Sequence, residues 1–388
     1  LHLRSLSHNR GTFQKVGEEM ASETSSPKKR ATTLKDIAQA TQLSVSTVSR
    51  ALANNASIPE STRIRVVEAA QKLNYRPNAQ ARALRKSRTD TIGVIIPNIE
   101  NPYFSSLAAS IQKAAREAGV STILSNSEEN PELLGQTLAI MDDQRLDGII
   151  VVPHIQSEEQ VTDLVNRGVP VVLADRSFVN SSIPSVTSDP VPGMTEAVDL
   201  LLAADVQLGY LAGPQDTSTG QLRLNTFERL CVDRGIVGAS VYYGGYRQES
   251  GYDGIKVLIK QGANAIIAGD SMMTIGALLA LHEMNLKIGE DVQLIGFDNN
   301  PIFRLQNPPL SIIDQHVQEI GKRAFEILQK LINGDTAQKS VVIPTQLSIN
   351  GSTAVSQKAA AKAAKAAQKA AAKAAQNTQH EVSLDGEL

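Results

Sequence analysis

The sequence predicts an α/β protein that consists of an all-α N-terminal domain and two lobes with parallel sheets. The chain has 388 residues, enough for two or three domains. Its charge is unevenly distributed, because residues 28–88 hold 13 basic and three acidic side chains, a net charge of +10, within a chain whose total is −2. Beyond residue 88, short aliphatic runs alternate with amphipathic segments, and we expect these runs to be strands, over 91–97, 121–125, 148–153, 170–175, 207–214, 241–244, 265–269 and 292–298. That alternation is typical of parallel sheets covered by helices on both faces.

Composition excludes several classes of protein. A single cysteine, Cys231, rules out a disulfide framework, and with six histidines it argues against a Cys/His metal site. No apolar run approaches the roughly 18 residues of a membrane span. We therefore expect a cytoplasmic (bacterial) protein that needs no metal or cofactor. Because the chain has 7 Phe, 7 Tyr and no Trp, an aromatic side chain in a polar loop is a candidate ligand contact.

The two ends of the chain have no pattern of a packed domain. Residues 1–30 are polar and lack the apolar stretch of a secretory signal, so we expect a disordered leader. Residues 352–388 form an Ala/Lys-rich tail in which lysines recur three or four residues apart. That spacing is helical, but the stretch has no apolar stripe wider than alanine methyls, so a solvated appendage is favoured over a second DNA-contacting tail.

Three short helices are predicted between residues 31 and 77. Thr33, with Asp36 three residues later, has the pattern of a capped helix start. Ser44 caps a second helix over 45–53, and Pro59 precedes a third. Two short helices joined by a tight turn and supported by a third form a helix-turn-helix headpiece.

The second helix has the side chains that a DNA major groove requires. Its inner face is apolar, and its outer face carries hydroxyls, one valine and an arginine, namely Val45, Ser46, Thr47, Ser49 and Arg50. A forked guanidinium pairs with guanine, and hydroxyls reach bases or phosphates. The alternative is a plain three-helix bundle whose basic residues form a solvated surface.

This region resembles the headpiece of the lactose-repressor (LacI/GalR) family of transcription regulators. The matching stretches are Thr33-Leu-Lys-Asp-Ile-Ala, Ser44-Val-Ser-Thr-Val-Ser-Arg-Ala-Leu and Leu73-Asn-Tyr-Arg-Pro-Asn. The resemblance implies that Val45, Ser46 and Arg50 read the bases of double-stranded operator DNA. We expect Thr33, Ser44, Thr47 and Ser49 to contact the DNA as well. One departure is Gln42, which stands at the turn where the family commonly has Gly and which we expect to occupy a left-handed turn.

Residues 78–89 resemble the family's hinge helix and linker. Asn78 is a suitable N-cap, and the alanines that follow are small enough for two helices to pack closely. Leu84 is flanked by Arg82 and Arg85, and the resemblance implies that it wedges into the minor groove at the centre of a palindromic site. We expect Asn78, Arg82 and Arg85 to contact the DNA as well. A helix this short needs DNA and a second copy of the chain to be ordered, so we expect a homodimer.

Residues 90–351 resemble the family's two-lobed, periplasmic-binding-protein-like effector domain. We expect lobe 1 to comprise about 90–188 and 315–335, and lobe 2 about 189–314 and 340–351. The matches to ribose-binding members of that wider group imply an effector site made of Asn101, Tyr103, Phe104, Asp175, Arg176, Arg223, Tyr246, Asp270, Asp298 and Gln315. The implied effector is ribose or a related pentose.

The chemistry of these residues suits a sugar independently of the resemblance. Sugar hydroxyls both donate and accept hydrogen bonds, so they need carboxylates together with guanidinium or amide groups, while aromatic faces cover the C–H surfaces of the ring. Each residue also has an ordinary alternative. Phe104 would pack at a helix start, and Asp175 and Asp270 would be helix N-caps. Arg176 would be a surface salt-bridge partner, and Arg223 a solvated helix residue.

Other functions remain open at this stage. The extra carboxylate of Asp270, where the group has Asn, leaves a nucleoside, purine or sugar phosphate as alternative effectors. No Gly-x-Gly-x-x-Gly, Gly-x-Ser-x-Gly or phosphate loop is present, so we do not expect an enzyme. An exported sugar receptor is disfavoured by the basic headpiece. We expect a DNA-binding repressor whose affinity for its operator is controlled by a small sugar.

Overall fold

The computed structural model describes residues 32–75, 88–203 and 206–353, which form two compact units, 32–75 and 88–353. The leader over 1–30, the predicted hinge helix over 78–87 and the tail from residue 354 lie outside the described residues. None of the described helices is long and apolar enough to cross a bilayer.

The first unit confirms the predicted helix-turn-helix, with helices α1 (Leu34–Thr41), α2 (Val45–Leu52) and α3 (Glu60–Lys72). The turn between α1 and α2 contains Gln42, whose backbone is left-handed (φ 53°, ψ 38°), as expected. A residue with a Cβ adopts this conformation at a cost of about 1–2 kcal/mol. The helices enclose a small apolar core of Ile37, Ala38, Val48, Ala51, Ile58, Val66 and Ala70.

The second unit alternates strands and helices. Its first half contains β1 (Thr91–Ile96), α4 (Pro102–Glu117), β2 (Ser121–Asn126), α5 (Pro131–Asp143), β3 (Gly148–Val151), α6 (Glu158–Asn166), β4 (Val171–Asp175) and β5 (Ser185–Asp189). The chain continues with α7 (Val191–Leu201), β6 (Leu208–Ala212), α8 (Ser218–Asp233), β7 (Ser240–Tyr243), α9 (Gln248–Lys260), β8 (Ala265–Ala268), α10 (Ser271–Glu283) and β9 (Gln293–Phe297). It ends with α11 (Pro301–Arg304), β10 (Ser311–Asp314), α12 (Val317–Ile332), β11 (Val341–Pro344) and β12 (Gln346–Ser348).

These strands form two six-stranded sheets, which confirms the two-lobed prediction. The strand order is β11-β5-β4-β3-β1-β2 in lobe 1 and β12-β10-β9-β8-β6-β7 in lobe 2. Neighbouring strands are parallel except for the β10–β12 pair, which is antiparallel. Ligands of such sheets bind beyond the carboxyl ends of the strands.

Each sheet has an apolar layer on both faces, because successive side chains of a strand point in opposite directions. In β1, Ile92, Val94 and Ile96 pack with α4 and α12 residues, whereas Ile95 packs with residues of α5 and α6. The continuous aliphatic runs of the sequence therefore reflect burial on two faces rather than one.

Two of the expected domain boundaries need correction. Residues 340–351 were assigned to lobe 2, but β11 pairs in parallel with β5 of lobe 1, and only β12 joins lobe 2. The chain thus crosses between the lobes at Thr345. The tail was expected to start at residue 352, yet Ser352 and Thr353 are buried in lobe 2, where Ser352 Oγ accepts from Ser311 N at 2.7 Å and donates to Leu294 O at 2.6 Å.

Candidate functional site

The exposed face of α2 carries the side chains predicted to read DNA. Ser44 caps the helix by accepting a hydrogen bond from Thr47 N at 3.1 Å. Val48 and Ala51 are buried, whereas Val45, Ser46 and Arg50 are exposed. Thr47 and Ser49 are half-buried.

Thr33 stabilises the start of α1, since its backbone N–H and its hydroxyl both donate to Asp36 Oδ2, at 2.7 and 2.8 Å. The four predicted hinge contacts, Asn78, Arg82, Leu84 and Arg85, lie outside the described residues.

Nine of the ten residues predicted for the effector site line one cavity between the two lobes. They are Asn101, Tyr103, Phe104, Asp175, Arg223, Tyr246, Asp270, Asp298 and Gln315, and Thr219 joins them. These residues come from widely separated parts of the sequence, and nearly all of them lie at strand-to-helix loops or helix starts. Only the fold brings them together.

Lobe 1 supplies an aromatic and carboxylate wall at the start of α4. Asn101 caps this helix by accepting from Tyr103 N at 3.0 Å, and Pro102 occupies its first turn. The cap fixes the two aromatic rings that follow, which meet edge to face at 5.2 Å between centroids. The hydroxyl of Tyr103 donates to Asp175 Oδ1 at 2.6 Å. Phe104 also belongs to the core of lobe 1, so its expected packing role and its position in the cavity coexist.

Lobe 2 supplies a buried arginine. The guanidinium of Arg223 donates to Gly269 O and to Gln315 Oε1, both at 2.7 Å, and lies 4.3 Å from the centroid of the Phe297 ring. Gln315 in turn donates through Nε2 to Asp298 Oδ1 and accepts from Ser188 Oγ at 2.6 Å. Gln315 lies where the chain crosses between the lobes, directly after β10.

Tyr246 closes the cavity from the loop before α9. Its hydroxyl is 3.0 Å from Thr219 Oγ1. A Cβ atom at Gly213 would stand 2.3 Å from Tyr246 Cε1, so the ring can lie here only because position 213 has no side chain. Thr219 was missed because a threonine near a helix start is an ordinary residue in sequence.

Asn101 joins the two lobes through hydrogen bonds. Its Nδ2 donates to Asp270 Oδ2 at 3.2 Å, and its Oδ1 accepts from Ser271 Oγ at 3.1 Å. Asp270 is also the N-cap of α10, where Oδ1 accepts from Met273 N at 2.8 Å. The alternative role proposed for Asp270 is therefore correct, and one carboxylate serves both as helix cap and as cavity wall.

Asp175 and Asp298 occupy equivalent places at the ends of β4 and β9. Both have left-handed backbones, with φ of 64° and 70°. A residue other than Gly adopts this conformation at a cost of about 1–2 kcal/mol, and such strain is concentrated at functional sites. Asp175 is not a helix N-cap, contrary to the alternative left open above, since no helix begins after it.

Burial shifts the ionisation of all three cavity aspartates. Desolvation raises the pKa of Asp298 to about 7, which the positive charge of Arg223 opposes and the carboxyl of Asp270 supports. Desolvation likewise raises the pKa of Asp270 to about 6 and that of Asp175 above its usual range. Near neutral pH Asp270 and Asp298 therefore exchange between the carboxylic acid, which donates a hydrogen bond, and the carboxylate, which only accepts. Both forms match a sugar hydroxyl.

Arg176 departs from the predicted arrangement because it does not line the cavity. Its side chain is buried, and its Nη1 and Nη2 donate to the two carboxylate oxygens of Glu129, both at 2.7 Å. It is therefore neither a direct wall of the inner cavity nor the surface salt-bridge partner considered above. Glu129 was not predicted, since it is one of several acidic residues in the loop before α5.

The cavity is nearly filled by its own side chains. Its volume is about 10 Å³, room for roughly one water molecule. A larger chamber of about 600 Å³ adjoins it and shares Asn101, Phe104 and Tyr246. Among the described residues, no group of three His, Cys, Asp or Glu side chains is placed to hold a metal ion.

Two family profiles match the chain. Residues 33–78 match the bacterial regulatory proteins of the lacI family, and residues 89–351 match the periplasmic binding proteins and sugar binding domain of the LacI family. Catabolite control protein A of Priestia megaterium is 31% identical over 328 residues, which is 83% of this chain and 99% of that protein. The chain therefore belongs to the LacI family of bacterial regulatory proteins.

Solved structures agree with this membership. A probable LacI family transcriptional regulator from Corynebacterium glutamicum is 42% identical, with a TM-score of 0.64 over 68% of this chain and 100% of that one. The lac repressor bound to ONPG in its repressed state is 25% identical, with a TM-score of 0.75 over 84% of this chain and 100% of that one. The chain is thus a DNA-binding transcriptional regulator with a sugar-binding domain, and not an enzyme.

The raised pKa of Asp298 predicts a pH-dependent contribution to stability. In an unfolded chain an aspartate titrates near 3.9, so between about pH 4 and pH 7 the folded protein binds more protons at this site. Stability from Asp298 is therefore lost as the pH rises through this range. We expect Asp298→Asn, which stays neutral, to gain in melting temperature relative to the parent between pH 5 and pH 8.

The matched control is Asp253→Asn, which changes an exposed aspartate on α9. Thermal unfolding of the three proteins at each pH measures the difference. If the difference in melting temperature between the parent and Asp298→Asn stays constant from pH 5 to pH 8, this carboxyl is not desolvated.

Proposed function

We propose that this regulator is a homodimeric repressor whose affinity for operator DNA is controlled by a small neutral sugar, ribose or a related pentose. The observation that carries the proposal is the convergence of nine polar and aromatic residues, predicted in advance, on one interlobe cavity. The set contains three carboxyls, an arginine and two amides, which together provide both donors and acceptors, and Phe104 and Tyr246 provide ring faces.

The cavity side chains hydrogen-bond to one another in this structure. A bound sugar would replace these bonds with bonds to its own hydroxyls. Tyr103 bonds to Asp175, Asn101 to Asp270, and Gln315 to Asp298. Because the cavity is nearly filled, a pentose enters only when the lobes separate and is enclosed when they close. The sugar then shifts the protein towards the state in which both lobes contact it.

Gln315 connects the sugar site to the movement of the lobes. It lies on a segment that crosses between the lobes. The chain crosses again at Thr345, whose N–H donates to Asp189 O at 3.0 Å. A change in the hydrogen bonds of Gln315 therefore affects the connection between the two lobes directly. In the proposed mechanism, lobe movement changes the spacing of the two hinge helices in the dimer, including Leu84, and thereby changes affinity for the operator.

A nucleoside is the second candidate effector. The outer chamber shares Asn101, Phe104 and Tyr246 with the sugar cavity, and its volume of about 600 Å³ is large enough for a substituent on the pentose. A free pentose would leave that chamber to solvent, whereas a nucleoside would fill part of it.

Thermal stabilisation by ligands tests the effector assignment. We expect ribose or another pentose to raise the melting temperature of the full chain, because a ligand that binds only the folded state stabilises it, by about 2.7 kcal/mol at a hundred times the Kd. Arg223→Met should abolish this rise, since Arg223 is buried in the cavity. Arg229→Met is the matched control, because it removes an exposed arginine from the same helix. If neither pentoses nor nucleosides stabilise the parent, the pentose assignment is wrong while membership in the regulator family stands.

Binding to DNA tests the role of α2. Arg50→Lys keeps the positive charge but loses the forked donor that pairs with guanine. We expect a loss of about 1–3 kcal/mol in affinity for the operator, with an unchanged affinity for unrelated DNA. Fluorescence anisotropy with a DNA fragment selected from a random library measures both. Equal losses of affinity for the operator and for unrelated DNA would show that Arg50 contacts the phosphate backbone instead of a base.

A further inference from the structure

Arg176 is a buried cation whose two terminal nitrogens bind one carboxylate, Glu129, while its Nε lies 3.7 Å from Asp175 Oδ2 and makes no hydrogen bond. Its forked contact with Glu129 uses both terminal nitrogens, at 2.7 Å each. Burial alone lowers the pKa of Arg176, but the charge of Glu129 and its hydrogen bonds raise it above the usual value. The guanidinium thus stays charged, and Glu129 is the carboxylate that occupies its forked terminal donors, with Asp175 a second, more distant charge.

Arg176 lies at the junction between the inner cavity and the outer chamber. Its guanidinium carbon is 5.6 Å from the centroid of the Phe104 ring and 5.8 Å from that of Tyr246, and these two rings line both spaces. Glu129 lines the outer chamber and is about one-third exposed, whereas Arg176 is 2% exposed. The carboxylate therefore stands between the arginine and any ligand group that extends outward from the cavity.

The rest of the cleft offers little attraction to an anion. Arg223 is the only cation among the described residues that line the inner cavity, and three carboxyl groups share that space with it. The outer chamber adds the carboxylates of Glu100, Glu128 and Asp216 and one exposed cation, Arg247, so carboxylates outnumber cations there as well. Without Glu129, the forked donor of Arg176 would be the group best suited to bind a phosphate or carboxylate.

We propose that Glu129 is a specificity-determining residue, which occupies the anion-binding fork of Arg176 and so restricts the cleft to uncharged ligands. The inference rests on the sugar-binding role proposed above and narrows it, because it excludes sugar phosphates and sugar acids as effectors. Glu129 acts as an internal anion, and an anionic ligand would have to displace it while approaching other carboxylates.

The test is the response of full-length variants to anions. Glu129→Gln leaves Arg176 charged without its carboxylate, so inorganic phosphate should raise the melting temperature of this variant more than that of the parent. Glu128→Gln is the matched control, because it removes the neighbouring carboxylate of the same chamber and leaves the Arg176–Glu129 pair intact. It also corrects for phosphate bound by the basic headpiece. In Glu129→Gln/Arg176→Met the extra stabilisation should disappear.

Calorimetric titration with ribose and ribose 5-phosphate extends the test to sugars. We expect the parent to bind ribose at least tenfold more tightly than ribose 5-phosphate, and Glu129→Gln to shift that ratio of affinities towards the phosphate by at least tenfold.

Failure of ribose to bind the parent would overturn the pentose assignment, but the response to inorganic phosphate would still report on Glu129. Equal phosphate responses of Glu129→Gln and Glu128→Gln, or equal affinity of the parent for both sugars, would overturn the proposal. If Glu129→Gln does not fold, Glu129→Asp, whose shorter side chain weakens the pair, should show a smaller gain of the same kind.

Discussion

The buried guanidinium of Arg223 is the interaction on which the cleft depends. Its positive charge acts on three aspartates in a cavity with little room for water, and it lowers the pKa of Asp175, Asp270 and Asp298 against the effect of burial. Removing one member of such a buried set leaves the other charges uncompensated, which typically costs 3–5 kcal/mol. Desolvation raises the pKa of all three carboxyls, to about 7 for Asp298 and about 6 for Asp270, because this single cation opposes the effect of burial only in part.

This arrangement connects ligand chemistry to conformation. Arg223 bonds to Gln315, which lies in a crossover between the lobes and also contacts Ser188 of lobe 1 and Asp298 of lobe 2. In the proposed mechanism, sugar hydroxyls replace the hydrogen bonds that these polar groups make with one another. A ligand moves the lobes only to the extent that it binds one arrangement of them better than the other.

The sequence predicted the parts of the structure that depend on local pattern. The capping pairs, the buried strands such as Gly148–Val151 and the helix-turn-helix all follow from the periodicity and chemistry of neighbouring residues. The strands β5, β10, β11 and β12 were not predicted, since they are short and contain polar residues or proline. Their strand conformation comes from pairing with distant segments, as when Val341–Pro344 pairs with β5.

In the candidate site too, the residues that follow from local pattern were predictable and those that depend on distant packing were not. Asp175 and Asp298 were predictable because each follows a buried aliphatic strand, where ligand groups lie in parallel sheets. Thr219 and Glu129 were not, because their positions depend on the packing of Tyr246 and Arg176 against them. The resemblance placed Arg176 in the sugar site, and only the structure shows that its forked donor is already occupied.

The central claim is that the sugar site and the DNA-binding face are energetically coupled. The most direct test is the affinity of the full chain for a selected operator fragment, measured with and without a saturating pentose at constant salt. We expect the pentose to change the affinity for the operator by at least tenfold, which corresponds to about 1.4 kcal/mol of coupling free energy. This effect should be lost in a variant that no longer binds the sugar. An operator affinity unchanged by a pentose that demonstrably binds would contradict it.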